Sequence, residues 1–213
     1  MRTDILIDRL SQDLRPVRPR SVLREAAILA LLGVIEVIAF LSMGFMRPDM
    51  SAAMGSPSFW WKLLSMGLIA VLGAGIALSS IDPACSPRRG LRWIPACLAA
   101  IFASGWLIDA AQGGVLDLIT RLHWREGLQC IWEMIALSVP AVIALAVLIR
   151  HGAPSDRTGT ALAGALASAA WGAFVFVFAC PSDDPFYIAV WYTAGCGIAT
   201  FLGQIVLSRA AQW

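Results

Sequence analysis

Apolar residues are not scattered along this chain but gathered into six runs, at residues 26–46, 63–80, 93–107, 130–149, 161–179 and 186–207, separated by short polar segments. About 20 helical residues cross the roughly 30 Å hydrocarbon core of a bilayer. Five runs meet that length. The third is shorter and meets Asp109, so it is expected to continue through Ala110 and Ala111 with Asp109 near an interface. Backbone groups in lipid must bond within their own segment, so each run is expected to be a helix. Pro140 lies inside the fourth and is expected to kink it. The predicted fold class is an all-α membrane protein, a bundle of six transmembrane helices.

Composition fits that class. The chain is 59% hydrophobic and only 14% charged, against roughly 25% charged residues in soluble domains. Its net charge of +2 gives no reason to expect direct nucleic-acid contact. The placement of charge matters more than its sum. With the N-terminus inside, the inner segments hold Arg2, Arg9, Arg15, Arg18, Arg20, Arg24, Arg88, Arg89, Arg92, Arg150, Arg157 and Arg209. The outer segments hold Arg47, Lys62, Arg121 and Arg125. That asymmetry places both termini in the cytoplasm of a bacterial inner membrane. The polar start is the wrong order for a signal peptide, so the N-terminus is expected to be retained.

Small residues recur every fourth position at Gly164, Ser168 and Gly172, and again at Gly195, Ala199 and Gly203. Such stripes let helix backbones approach closely. On the outer side Val115, Leu118, Ile119 and Leu122 fall at helical spacing, which predicts a short amphipathic surface helix.

Residues 1–22 form a cytoplasmic arm ahead of a membrane domain spanning 23–213. Thr3 or Asp4 can cap a helix running to Arg15, beyond which Pro16 and Pro19 break it. Leu6, Leu10 and Leu14 line one face, with Ile7 beside them. Three turns alone in water are marginal, so this face needs a cover. Membrane-surface helices carry a strongly basic polar face, whereas Asp4, Asp8 and Asp13 accompany the arginines here. The pattern favours a protein partner for residues 3–14 and a lipid anchor for residues 15–24.

Cys130 opens the fourth run and Cys180 closes the fifth, so the topology brings both to the outer boundary. His123, Glu126, Glu133, Asp183 and Asp184 lie nearby in sequence. Three roles stay open: a disulfide or redox pair, metal-responsive thiols with a ligand set of Cys130, Cys180, His123 and Asp183, or inert packing. Cys97 and Cys196 are expected within spans as small core residues, and Cys85 in an inner loop. Glu36, near the middle of the first run, is either a functional carboxyl or one hydrogen-bonded to a neighbouring helix. No CxxC, nucleotide loop, HExxH or nucleophile elbow occurs, so neither an enzyme nor a cofactor is expected. A small transporter or efflux protein is the alternative class, kept open by Glu36 but without the internal repeat such folds show.

The opening Thr3-Asp4-Ile5-Leu6-Ile7-Asp8-Arg9-Leu10, followed by Asp13-Leu14-Arg15-Pro16-Val17, resembles the start of the negative regulator of sigma F family. The run Cys180-Pro181-Ser182-Asp183-Asp184-Pro185-Phe186-Tyr187, leading to Trp191-Tyr192, resembles that family's hallmark, and Cys130 matches its other cysteine position. The resemblance implies a six-span anti-sigma factor. Its arm, through Thr3, Asp4, Leu6, Ile7, Leu10 and Leu14, would hold an extracytoplasmic-function sigma factor at the membrane. Cys130 and Cys180 would sense oxidative or heavy-metal stress.

Overall fold

The computed structural model describes residues 21–111 and 120–212. The arm helix expected at residues 3–14, and most of the amphipathic segment expected at 115–122, lie outside the described residues. Among those described, the chain is all-helical. Six helices are long and apolar enough to cross a membrane: Val22–Ser42 (α1), Pro57–Ser80 (α3), Ile94–Ala111 (α5), Trp124–Arg150 (α6), Arg157–Phe176 (α7) and Pro185–Ala210 (α8). Short helices Met50–Ala53 (α2) and Arg88–Leu91 (α4) precede α3 and α5, and a single 3-10 turn, Thr120–Leu122, precedes α6.

Caps explain where the helices depart from the apolar runs. The Ser21 hydroxyl accepts the Arg24 amide at 3.3 Å and starts α1 earlier than hydrophobicity alone suggests. Gly44, at φ 81°, turns the chain just beyond Ser42, so the helix stops short of Met46. Pro57 and Pro185 occupy first-turn positions, where their missing N–H costs nothing. Asp156 caps α7 by accepting the Gly159 amide at 3.0 Å. The third run does continue through Ala110 and Ala111, and α6 runs unbroken through Pro140.

The centre of the bundle is α7, packed by α3, α6 and α8. Its buried residues are mostly Ala and Gly, small on several sides at once, which lets three neighbours crowd one helix. Gly172 is the tightest point: a Cβ there would lie 2.5 Å from the Met134 carbonyl oxygen and 2.7 Å from the Ser138 nitrogen of α6. Gly164 faces Leu207 of α8, and Gly203 of α8 faces Ala165. Both small-residue stripes are therefore contact seams.

By contrast α1 is peripheral. Gly33 is its one buried residue, seated on the Trp171 ring of α7. Leu31, Val34, Ile35 and Ile38 are exposed, as are Leu64 and Val71 of α3 and Phe201 of α8. Apolar surface on this scale suits hydrocarbon rather than water.

Candidate functional site

Helices alternate in direction, so residues 43–56, the turn before α6 and residues 177–184 meet at one end of the bundle. Arg47 organises that end. Its guanidinium, only 4% exposed, grips Asp49 through two bonds of 2.7 Å and reaches Asp183 at 2.9 Å. It also donates to the carbonyl oxygens of Cys180 and Pro181, each at 3.0 Å. The Arg47 amide donates to the Phe178 carbonyl at 2.9 Å. A planar fork of five N–H groups can satisfy so many acceptors at once; a lysine cannot. Arg47 beside Asp49 holds that carboxyl down to about 2, and the same contact raises the guanidinium's own pKa.

Lys62 is wholly buried. Its ammonium donates to the Ser182 carbonyl at 2.9 Å and to Asp183 at 3.1 Å, and lies 5.9 Å from the Tyr192 ring centroid. A buried ammonium is tolerable only when paired in this way. Alongside, Arg121 bridges Asp109 and Asp184 and stacks 5.6 Å from the Phe186 ring centroid. Asp184 also caps α8, accepting the Phe186 amide at 2.9 Å.

Beneath this ionic layer lies the cysteine pair. Cys130 on α6 and Cys180 in the 177–184 segment are both buried and unbridged, and they share one core cluster. Cys130 Sγ also meets the Tyr187 hydroxyl at 3.2 Å, and Cys180 Sγ donates to the Ser182 carbonyl at 3.7 Å. The Cys130 thiol and the nearby Lys62 charge hold the Cys180 thiol below its ordinary range against the opposing effect of burial. Trp191 closes the side of the cluster, donating to the Leu122 carbonyl at 2.7 Å. It packs so closely over α6 that a Cβ on Gly127 would lie 2.1 Å from the indole.

Residues 10–213 match the family model described as negative regulator of sigma F. The chain belongs to the negative regulator of sigma F family. A curated relative, the anti-sigma-F factor NrsF of Caulobacter vibrioides (strain NA1000 / CB15N), is 30% identical over 206 residues, covering 92% of each chain. No solved structure matches.

In this family member the expected pair Cys130 and Cys180 does come together. The wider metal-ligand set of Cys130, Cys180, His123 and Asp183 does not. Among the described residues no three His, Cys, Asp or Glu side chains converge where a metal ion would sit. The physical reason is prior engagement: Asp183 is committed to Arg47 and Lys62. The His123 ring is exposed and bonds back to the Arg121 carbonyl, with its backbone in the left-handed region at φ 36°. Glu133 is taken up by Gln129 on its own helix at 2.7 Å. Cys196 lies within α8 and Cys97 within α5, both half-buried, while Cys85 is exposed at the opposite end. Glu36 accepts the Trp171 indole N–H at 2.8 Å, a hydrogen bond to a neighbouring helix. The arm residues Thr3, Asp4, Leu6, Ile7, Leu10 and Leu14 lie outside the described residues.

Sequence reasoning missed the hub role of Arg47, Lys62 and Arg121, which it counted only as outer positive charges. One signal was available: Lys62 immediately precedes the apolar run at 63–80, too close for a residue standing free in water, and Asp183 and Asp184 offered its counter-charge.

Proposed function

We propose that this protein is a membrane anti-sigma factor. Residues 1–22 hold an extracytoplasmic-function sigma factor on the cytoplasmic side of the bacterial inner membrane, away from RNA polymerase. Residues 23–213 form the membrane domain, with both termini cytoplasmic, and its outer end responds to oxidative or heavy-metal stress through Cys130 and Cys180. Family membership and the name of the curated relative support the sigma-factor partner. The division of basic residues between the two sides supports the orientation. The role is regulatory rather than catalytic.

The observation that carries the direction of signalling is the bond network of Arg47. That residue lies five positions beyond the end of α1, and α1 is the helix that leads directly from the arm. Arg47 binds the backbone of Phe178, Cys180 and Pro181. A change in the thiol pair that shifts the 177–184 segment therefore pulls on α1. Because α1 is held to the bundle by few contacts, it is the helix least costly to move. Allosteric coupling needs an element with two arrangements that both sites bias, and α1 is the element assigned here.

Deleting residues 1–14 is expected to abolish co-purification of the sigma factor while leaving membrane insertion intact. Retained co-purification would remove the arm as the docking element. Cys130→Ser and Cys180→Ser are expected to blunt the response to oxidant and cadmium without changing basal sequestration. If both serine variants respond like the parent chain, the thiols are not the sensor.

A further inference from the structure

Helix α1 does not seal against the bundle. Between it and α3, α6 and α7 lies a cavity of about 500 Å³, within the roughly 300–1,000 Å³ range of small-molecule sites. Its walls are small and apolar: Ala26, Ala30 and Gly33 of α1, Ala74 and Gly75 of α3, and Ala144 of α6 are among them. Exposed Val34 and Val71 at its edge open it sideways, toward the apolar surface of the bundle. Glu36 is the one ionisable residue in its lining.

The carboxyl is half used. Oε2 accepts the Trp171 N–H at 2.8 Å, while Oε1 is buried and has no partner among the described residues. An unsatisfied carboxyl oxygen in an apolar wall is costly, and a donor placed against it recovers that cost. A bare acyl chain would fill the walls and leave Oε1 as it is. An anionic headgroup would be repelled. A protonated amine supplies both the donor and the opposite charge, and a hydrocarbon tail suits everything else in the lining.

We propose that this cavity is a lateral binding site for a lipophilic amine, with the ammonium on Glu36 Oε1 and the alkyl chain along the Ala- and Gly-lined wall. The cavity shares no lining residue with the cysteine cluster, and the proposal is independent of the arm's role.

The test uses the full-length protein in nonionic detergent, with thermal unfolding midpoints measured in dodecylamine and, for comparison, dodecanol. A ligand that binds the folded state raises the midpoint by mass action. Dodecylamine is expected to raise it more than dodecanol does. Glu36→Gln keeps an acceptor for Trp171 but loses the charge, and is expected to remove the difference. Gly75→Leu is expected to remove it independently: Gly75 is part of the cavity lining and a Cβ there meets nothing within 4 Å, so the substitution narrows the cavity and the unliganded midpoint is expected to hold or rise through helix propensity. No rise in the parent chain, an equal rise with dodecanol, or an excess of dodecylamine over dodecanol that survives either substitution overturns the proposal.

Discussion

Arg47 donates from its guanidinium to the carbonyl oxygen of Cys180 at 3.0 Å, across 133 positions of sequence. The bond ties the residue after the first membrane helix to the cysteine that closes the fifth apolar run. It also fixes the backbone of Cys180 without touching the thiol, whose sulfur donates instead to the Ser182 carbonyl.

Arg47→Met is expected to destabilise the protein by about 3–5 kcal/mol, the range seen when one partner of a buried ion pair is removed. Asp183 would retain Lys62, but the Cys180 and Pro181 carbonyls would lose their donor. Arg47→Lys is expected to recover only part of the loss, because one ammonium cannot reach Asp49, Asp183 and two carbonyls together. Thermal unfolding in detergent reads both.

Gly172→Ala is expected to cost about 1–3 kcal/mol through overpacking, since its methyl group would press on the backbone of α6 at Met134 and Ser138. Gly197→Ala, on α8 with nothing within 4 Å of the new Cβ, is expected to be neutral or to gain up to about 1 kcal/mol of helix propensity. Equal effects from the two would show that α6 and α7 are not in backbone contact at Gly172.

Gly127→Ala is expected to destabilise, because Trp191 already occupies the space a methyl group needs. Trp191→Phe is expected to cost about 1 kcal/mol on its own, from the lost bond to the Leu122 carbonyl. The double variant is expected to be less damaging than the sum, since a smaller ring leaves room over α6. A double-mutant cycle that came out additive would place the two residues out of contact.

Acid is expected to loosen the Arg47 end. Asp49 has its pKa lowered from 3.8 to about 2. A carboxylate depressed in the folded state favours folding above its unfolded pKa, and that contribution disappears as pH falls from about 4 toward 2. Asp49→Asn is expected to flatten the stability profile across that window, measured as unfolding midpoint against pH. A profile identical to that of the parent chain would show that Asp49 and Arg47 are not paired.

Much of the fold was legible without coordinates because it follows from one-dimensional rules. Bilayer thickness sets how long an apolar run must be, and the third run extends through Ala111 for that reason. Small residues at every fourth position mark a packing seam wherever two helices meet, and both stripes do. The ends of the helices were less legible, since Ser21, Gly44 and Asp156 act through local hydrogen bonds and backbone angles rather than hydrophobicity.

The candidate site divides in the same way. Alternating helix direction was enough to put Cys130 and Cys180 at one end, because topology depends only on counting spans. Whether His123 and Asp183 would join them depended on competition for their side chains, and Asp183 went to Arg47 and Lys62. Glu36 was visible as an ionisable residue in an apolar run, but the cavity beside it exists only because α1 stands off from α3, α6 and α7. Sequence determined the six helices, their apolar surfaces and the shared end of the two thiols. Tertiary structure alone decided which charges pair and which space stays open, because both depend on side-chain geometry between segments far apart in the chain.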